Sequence, residues 1–164
     1  MKRRQFIGRA GTAALIGGMA RPSIGRAASA TTLKFVPYAD LALLDPLVSA
    51  FVTRNHVMMV FDTLFALDAA GTAQHQMLAG HTVDADQKVW TLTLRDGLLF
   101  HDGTPVLGRD VVASVRRWAA KDAFGQALMA ATDELSAVDD KTFRFRLKQP
   151  FPLLPNALGK TGTP

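Results

Sequence analysis

The sequence predicts an α+β or mixed α/β fold, and three observations carry that reading. Apolar and polar residues alternate at 90–95 and again at 142–148, the period of a half-buried strand. Apolar residues recur at helical spacing across 47–61 and 110–130. The elements follow one another as strands, helix, hairpin and helix, then strand, an order that sets helices against a sheet.

Taken in order, TTLKFVPY (31–38) alternates and predicts a first strand with Pro37 at its end. ADLALLDP (39–46) predicts a loop closed by Asp45-Pro46, and Val48, Phe51, Val52, Val57, Met58, Val60 and Phe61 predict a helix after it. A short strand over Thr63–Leu67 is ended by DAAG (68–71). DADQK is a turn signal ahead of Trp90, Leu92 and Leu94, which share one face of a strand. That strand is expected to run to Phe100, turn at 101–105 and give way to a helix starting near Gly108. Gly125 marks the expected break between two helical patterns in 110–130. Phe143, Phe145 and Leu147 face one way and Thr142, Arg144, Arg146 and Lys148 the other, in a strand that Asp139-Asp140-Lys141 pairs with the segment before it. A proline-rich stretch and a short apolar run follow at 150–160.

Charge is distributed unevenly. The first thirty residues hold Lys2, Arg3, Arg4, Arg9, Arg21 and Arg26 and no acid, whereas the rest carries 13 basic and 14 acidic residues. The body therefore has no basic excess of the kind that binds nucleic acid. The leader combines paired Arg3-Arg4, a mildly apolar GTAALIGGMA and a small-residue cleavage site at Ala28-Ser29-Ala30. It resembles a twin-arginine export signal, the alternative being an ordinary secretory signal with adjacent arginines. The apolar run falls far short of the ~20 residues that span a bilayer. With no cysteine, disulfides, thiolate metal sites, a cysteine nucleophile and a lipidated cysteine are excluded. The expected exported product is soluble, in the periplasm of a host with two membranes.

Chemistry-bearing patterns are sparse. His56, His75, His81 and His101 form no H-E-x-x-H, and His75 and His81 stand six apart across an expected loop, so no metal site is predicted. No G-x-S-x-G is present. The GKT at 159–161 lacks a phosphate loop's upstream glycine, Leu154 standing there. Asp84, Asp86 and Lys88 do not continue into a calcium loop. In HDGTP (101–105), Asp102-Gly103 is a turn dipeptide and Pro105 favours an extended residue before it. His101-Asp102 is therefore read as part of a turn rather than as a catalytic pair. No cofactor is implied.

The run WTLTLRDGLLFHDGTPVLGRDVVASVRRW (90–118) resembles the signature of the extracellular solute-binding proteins of family 5, which serve ABC importers of the dipeptide and oligopeptide type. Leu94, Arg95, Gly97, Phe100, Asp102, Gly103, Pro105, Asp110, Val111 and Ser114 carry it, with VFDTLFALDAAG (60–71) and DDKTFRFRLKQPFP (139–152) as agreeing flanks. The resemblance implies the N-terminal part of a two-lobed periplasmic binding protein. Residues 1–30 are then the signal peptide, 31–48 the start of lobe one, 49–160 an inserted α+β subdomain and 161–164 a truncated connection, with the second lobe absent. It implies a monomeric receptor that binds a peptide or small solute without catalysis, delivers it to membrane permease subunits and is exported by the twin-arginine machinery. Tyr38, Ala39, Asp40 and Leu41, with Asn55 and His56, are the implied ligand neighbours, although Tyr38 could equally pack the lobe. The signature itself is expected in the subdomain core, away from ligand.

Three positions depart from the family pattern. Leu107 replaces the usual Thr or Ser, removing a helix cap worth about 1 kcal/mol. Gly108 replaces a common alanine at a helix-propensity cost of up to ~1 kcal/mol. His81 replaces an aromatic, which is expected to loosen packing under the hairpin. The alternative reading is a truncated fragment or pseudogene product that binds no solute of its own and exposes the docking face of a strand such as 143–147.

Overall fold

The computed structural model describes residues 34–37, 39–41, 43–47, 56–57 and 59–160. Contacts divide the chain into two units, Met1–Val36 and Pro37–Pro164. In the first, Lys34–Val36 is exposed and forms no strand, so the described part of the predicted first strand is absent. A strand persists only where its backbone groups find a ladder, and these residues have none.

The second unit contains β1 (Phe65–Leu67), β2 (Ala73–His75), β3 (Leu78–Val83), β4 (Val89–Leu94), α1 (Gly108–Ala119), α2 (Ala123–Ala131), β5 (Thr132–Ala137), β6 (Thr142–Leu147) and α3 (Leu154–Leu158). Before β1, residues 43–47 form the expected loop, in which the Asp45 carboxylate accepts from the Leu47 N–H. Of the helix expected over 47–61, His56, Val57, Met59 and Val60 are helical and the remainder lies outside the described residues or, at Leu47 and Phe61, outside the helix.

Four antiparallel strands form the main sheet in the order β3-β4-β6-β5. The pattern read at 90–95 and 142–148 emerges as alternate burial: Trp90, Leu92 and Leu94 of β4 and Phe143, Phe145 and Leu147 of β6 are buried on one face. Trp90 sits opposite Phe145 and Leu92 opposite Phe143, so the ladder register aligns the two apolar rows. Each such side chain contributes roughly 1.5–3 kcal/mol on full burial. β6 is an interior strand flanked by β4 and β5, and Phe143 and Phe145 are 0% exposed. The expected exposed docking face at 143–147 is thus corrected, because α1 and the partner strands already cover it.

α1 lies on that face and inserts Val111, Val115 and Trp118 into the core. Leu107 makes no side-chain cap, as expected, but the Asp110 carboxylate accepts from the Leu107 N–H at 2.9 Å and restores half of a capping box. Gly108 is a close-approach residue rather than a weak alanine substitute. Its N–H donates to the Asp140 carbonyl at 2.7 Å. A Cβ there would stand 2.8 Å from the Asp139 carbonyl oxygen and 3.2 Å from that of Thr142. The helix therefore starts in backbone contact with the β5–β6 turn.

Other boundaries moved. β4 ends at Leu94 rather than Phe100, with Gly97 at φ 75° where the chain leaves the sheet. The break between α1 and α2 falls at 120–122, where Asp122 caps α2 by accepting from the Phe124 and Gly125 N–H groups. Gly125 lies inside α2, where a Cβ would come within 2.6 Å of the Ala119 Cα, so its smallness sets the approach of the two helices. β2 and β3 occupy a region read mostly as loop, and β1 is shorter than expected.

Helix propensity alone ranks alanine above glycine at 108 by up to about 1 kcal/mol. The close carbonyls predict the opposite sign. Gly108→Ala should lower stability by about 1–3 kcal/mol in thermal or urea unfolding followed by circular dichroism. A rise in stability would show that the helix start is not pinned to the turn.

Asp122 is partly buried, which raises its pKa, but hydrogen bonds from Lys160 Nζ at 2.5 Å and from the α2 N–H groups outweigh that and hold it below its ordinary 3.8. The charged carboxylate thus favours the folded state above 3.8, and that contribution is lost as pH falls through the lower folded value. Asp122→Asn should lower the unfolding temperature at pH 7, with the deficit shrinking in acid.

Candidate solute-facing groove

The signature segment 94–114 divides between scaffold and surface. Arg95 donates from its backbone N–H to the Met77 carbonyl and from Nε to the Gln76 carbonyl, tying the exit of β4 to the entry of β3. The turn at 101–105 is formed as the sequence predicts. The Phe100 N–H donates to the Thr104 carbonyl and the Gly103 N–H to that of Phe100. Gly103 sits at φ 85°, a conformation L side chains rarely adopt. Leu99 and Pro105 bridge across the turn.

Asp102 spends its carboxylate inside that turn. Oδ1 accepts from the Thr104 hydroxyl at 2.7 Å and from the Thr104 N–H at 2.9 Å. These bonds, the hydroxyl first, hold its pKa below the usual carboxylate value. His101 is exposed and makes no hydrogen bond to Asp102. The Asp102 carboxylate is thus committed to the turn and does not orient the His101 ring.

Beside the turn lies an open groove of about 930 Å³. Its floor is the apolar core surface at Leu64, Met77, Leu98, Val111 and Val115, and its rims carry Leu44, Met59, Phe61, Leu99 and Phe100. Met59 is 74% exposed, Leu44 62% and Leu99 62%. Polar groups are few: Asp45, Asp62, His101, Asp110, Ser114 and Arg117. At one end Arg117 of α1 donates to Asp45 at 2.5 Å, joining the 43–47 loop to the helix and lowering the Asp45 pKa. The lining offers apolar contact and a few hydrogen-bonding groups, the composition of a binding surface.

The residues predicted near ligand do not gather there. Tyr38 and Asn55 lie outside the described residues. Ala39, Asp40 and Leu41 are exposed, with the Asp40 carboxylate accepting from the Leu41 N–H. His56 is half-buried on a helical turn. None of these four described residues lines the groove. Conversely, Phe100, Asp110 and Ser114 of the signature, expected in the core, face it. The missed rim had a signal: ADLALLDP and GLLF place exposed leucines and a phenylalanine in segments otherwise read as loop or strand end.

His81 was expected to loosen the hairpin. It stacks instead on Trp90, with ring centroids 5.4 Å apart and 17° between planes, and meets Phe65 edge-on at 5.7 Å. The imidazole fills the aromatic position as a ring.

Residues 72–164 match the profile of the bacterial extracellular solute-binding proteins, family 5 Middle. The chain belongs to this family. Over 145 residues it is 41% identical to a probable peptide ABC transporter periplasmic-binding protein of Sinorhizobium fredii, covering 86% of this chain and 27% of the relative. A glutathione-binding protein of Salmonella typhi is 30% identical over 105 residues, covering 63% of this chain and 20% of the relative. This family 5 chain thus spans about a quarter of the length of the curated relatives it matches. Among solved structures, the Escherichia coli murein tripeptide binding protein superposes with a TM-score of 0.64 on 74% of this chain and 28% of its own, at 23% identity. A binding protein from A. tumefaciens R10 solved with mannopinic acid gives 0.65 over 76% and 27%, at 26% identity. The fold is therefore part of the periplasmic binding protein fold. Among the described residues, no helix is long and apolar enough to cross a membrane.

For a family 5 chain, the turn assignment predicts unequal effects of neighbouring substitutions. His101→Ala should stay within about 0.5 kcal/mol of the parent in urea unfolding, as surface changes usually do. Asp102→Ala should cost more than His101→Ala, because it leaves the Thr104 N–H and hydroxyl without their acceptor. Equal effects would show that Asp102 does not hold the turn.

Proposed function

We propose that the protein of which these residues form the N-terminal region is a periplasmic receptor that binds peptides and delivers them to the permease subunits of an ABC importer. The observation that carries this reading is the 41% identity over 145 residues with the probable peptide-binding protein of Sinorhizobium fredii. The apolar groove and the turn-bound Asp102 support binding over catalysis. In this reading 1–30 is a twin-arginine signal removed after Ala28-Ser29-Ala30, 31–48 opens lobe one, 49–160 is the inserted subdomain and the mature receptor is a monomer. Tyr38, Ala39, Asp40 and Leu41, with Asn55 and His56, border the ligand cleft. The cleft needs a second lobe for closure, so the 164 residues by themselves are expected to retain little or no solute.

The test is to read the native frame past codon 164, express whatever it encodes, and measure retention of a mixed tri- to pentapeptide pool by native mass spectrometry. Retained peptides with the whole frame, and none with residues 31–164, support the proposal. Retention of sugars or opines but no peptide overturns the peptide assignment. No retention of any solute by the whole frame leaves the fragment reading in its place.

A further inference from the structure

The groove leaves one arrangement of chemistry-bearing side chains unused. His75 on β2 and His81 on β3 bring Nε2 and Nδ1 to 2.8 Å, so that an N–H of one imidazole donates to the bare nitrogen of the other. Their rings meet edge to face at 86°, with centroids 5.0 Å apart. Each ring has an aromatic neighbour. His75 pairs with Phe65 in the β1–β2 ladder and its ring lies 5.4 Å from that phenyl ring, while His81 pairs with Leu92 in the β3–β4 ladder and stacks on Trp90. Both residues are nonetheless exposed.

We propose that His75 and His81 form a two-imidazole chelate, open to solvent, for a divalent transition-metal ion, Cu²⁺ above Ni²⁺ and Zn²⁺. Metal–imidazole bonds of about 2.0–2.1 Å meeting at a right to tetrahedral angle place the two nitrogens about 3 Å apart. The observed separation is close to that value. In the hydrogen-bonded pair the nitrogens face nearly head-on, so coordination tilts the two exposed rings until both lone pairs meet on the ion. The proton between them moves to the far nitrogen of its own ring, and each histidine binds as neutral imidazole with no net proton released. Burial first, and the neighbouring His75 second, hold the His81 pKa below its ordinary 6.5, which keeps the ring neutral at neutral pH. Among the described residues no group of three His, Cys, Asp or Glu side chains gathers, so water completes the coordination. The order of metals follows the general preference of nitrogen sites for copper.

Trp90 supplies the readout, because Cu²⁺ bound to the imidazole stacked on it quenches its fluorescence. The chain is titrated with copper sulfate at pH 7 in a non-chelating buffer. The expected result is a saturable quench at one ion per chain. His75→Gln and His81→Phe, the latter keeping a ring against Trp90, should each raise the half-saturating copper concentration by about tenfold or more, a loss of at least ~1.4 kcal/mol. Near-UV circular dichroism checks that each variant is folded, and either one suffices for the comparison. Absence of a saturable quench, or an unchanged titration in a folded variant, overturns the proposal. This outcome is independent of whether the protein binds peptides.

Discussion

The structure depends on the docking of α1 against the buried face of the four-stranded sheet. The apolar row of that face comes from two strands distant in sequence, and α1 is the first of the two helices that join β4 to the β5–β6 hairpin. Its first residue reaches the hairpin turn through backbone atoms alone, the Gly108 N–H donating to the Asp140 carbonyl at 2.7 Å. Its far end buries Trp118, which is 0% exposed, beside α2. Both contacts fix where the helix lies along the sheet. They also fix the loop before it, because the signature turn at 101–105 has only two residues between it and the helix start.

Glycine therefore has two different uses here. At 103 it supplies a backbone conformation that closes a turn. At 108 and 125 it supplies the absence of a side chain, letting a helix end meet a carbonyl and one helix meet another. The second use runs against helix propensity by about 1 kcal/mol per residue, and it permits close packing of α1 on the hairpin turn and of α2 on α1. Leu107 tells a similar story: the missing cap hydroxyl is answered from the other side by Asp110.

The division between scaffold and surface is what gives this family 5 chain its groove. Helix α1 shows the core one face and presents Asp110, Ser114 and Arg117 along the groove. The segment after β4 does the same, with Leu98 in the floor and Leu99 and Phe100 on the rim. An element read as core from its family motif can thus carry a groove face on its other side, and the Asp102 carboxylate at its centre is held within the turn.

The sequence by itself determined the elements whose period is strong and whose ends carry turn chemistry: β4, β6, the Asp139–Lys141 turn, the HDGTP turn and the start of α1 at Gly108. In these, local preference and burial agree, so alternation or spacing is enough. It also determined the family, since the signature residues stand in order from Leu94 to Ser114. Tertiary structure decided the rest. The break between the helices fell at 120–122 because Asp122 could cap α2, while Gly125 was needed for a close approach that no local pattern records. β2 and β3 were missed because their stability comes from pairing with β1 and β4. The His75–His81 contact joins two strands whose six-residue spacing says nothing of distance. The groove rim, too, appears only when Leu44, Met59 and Leu99 are brought together in space.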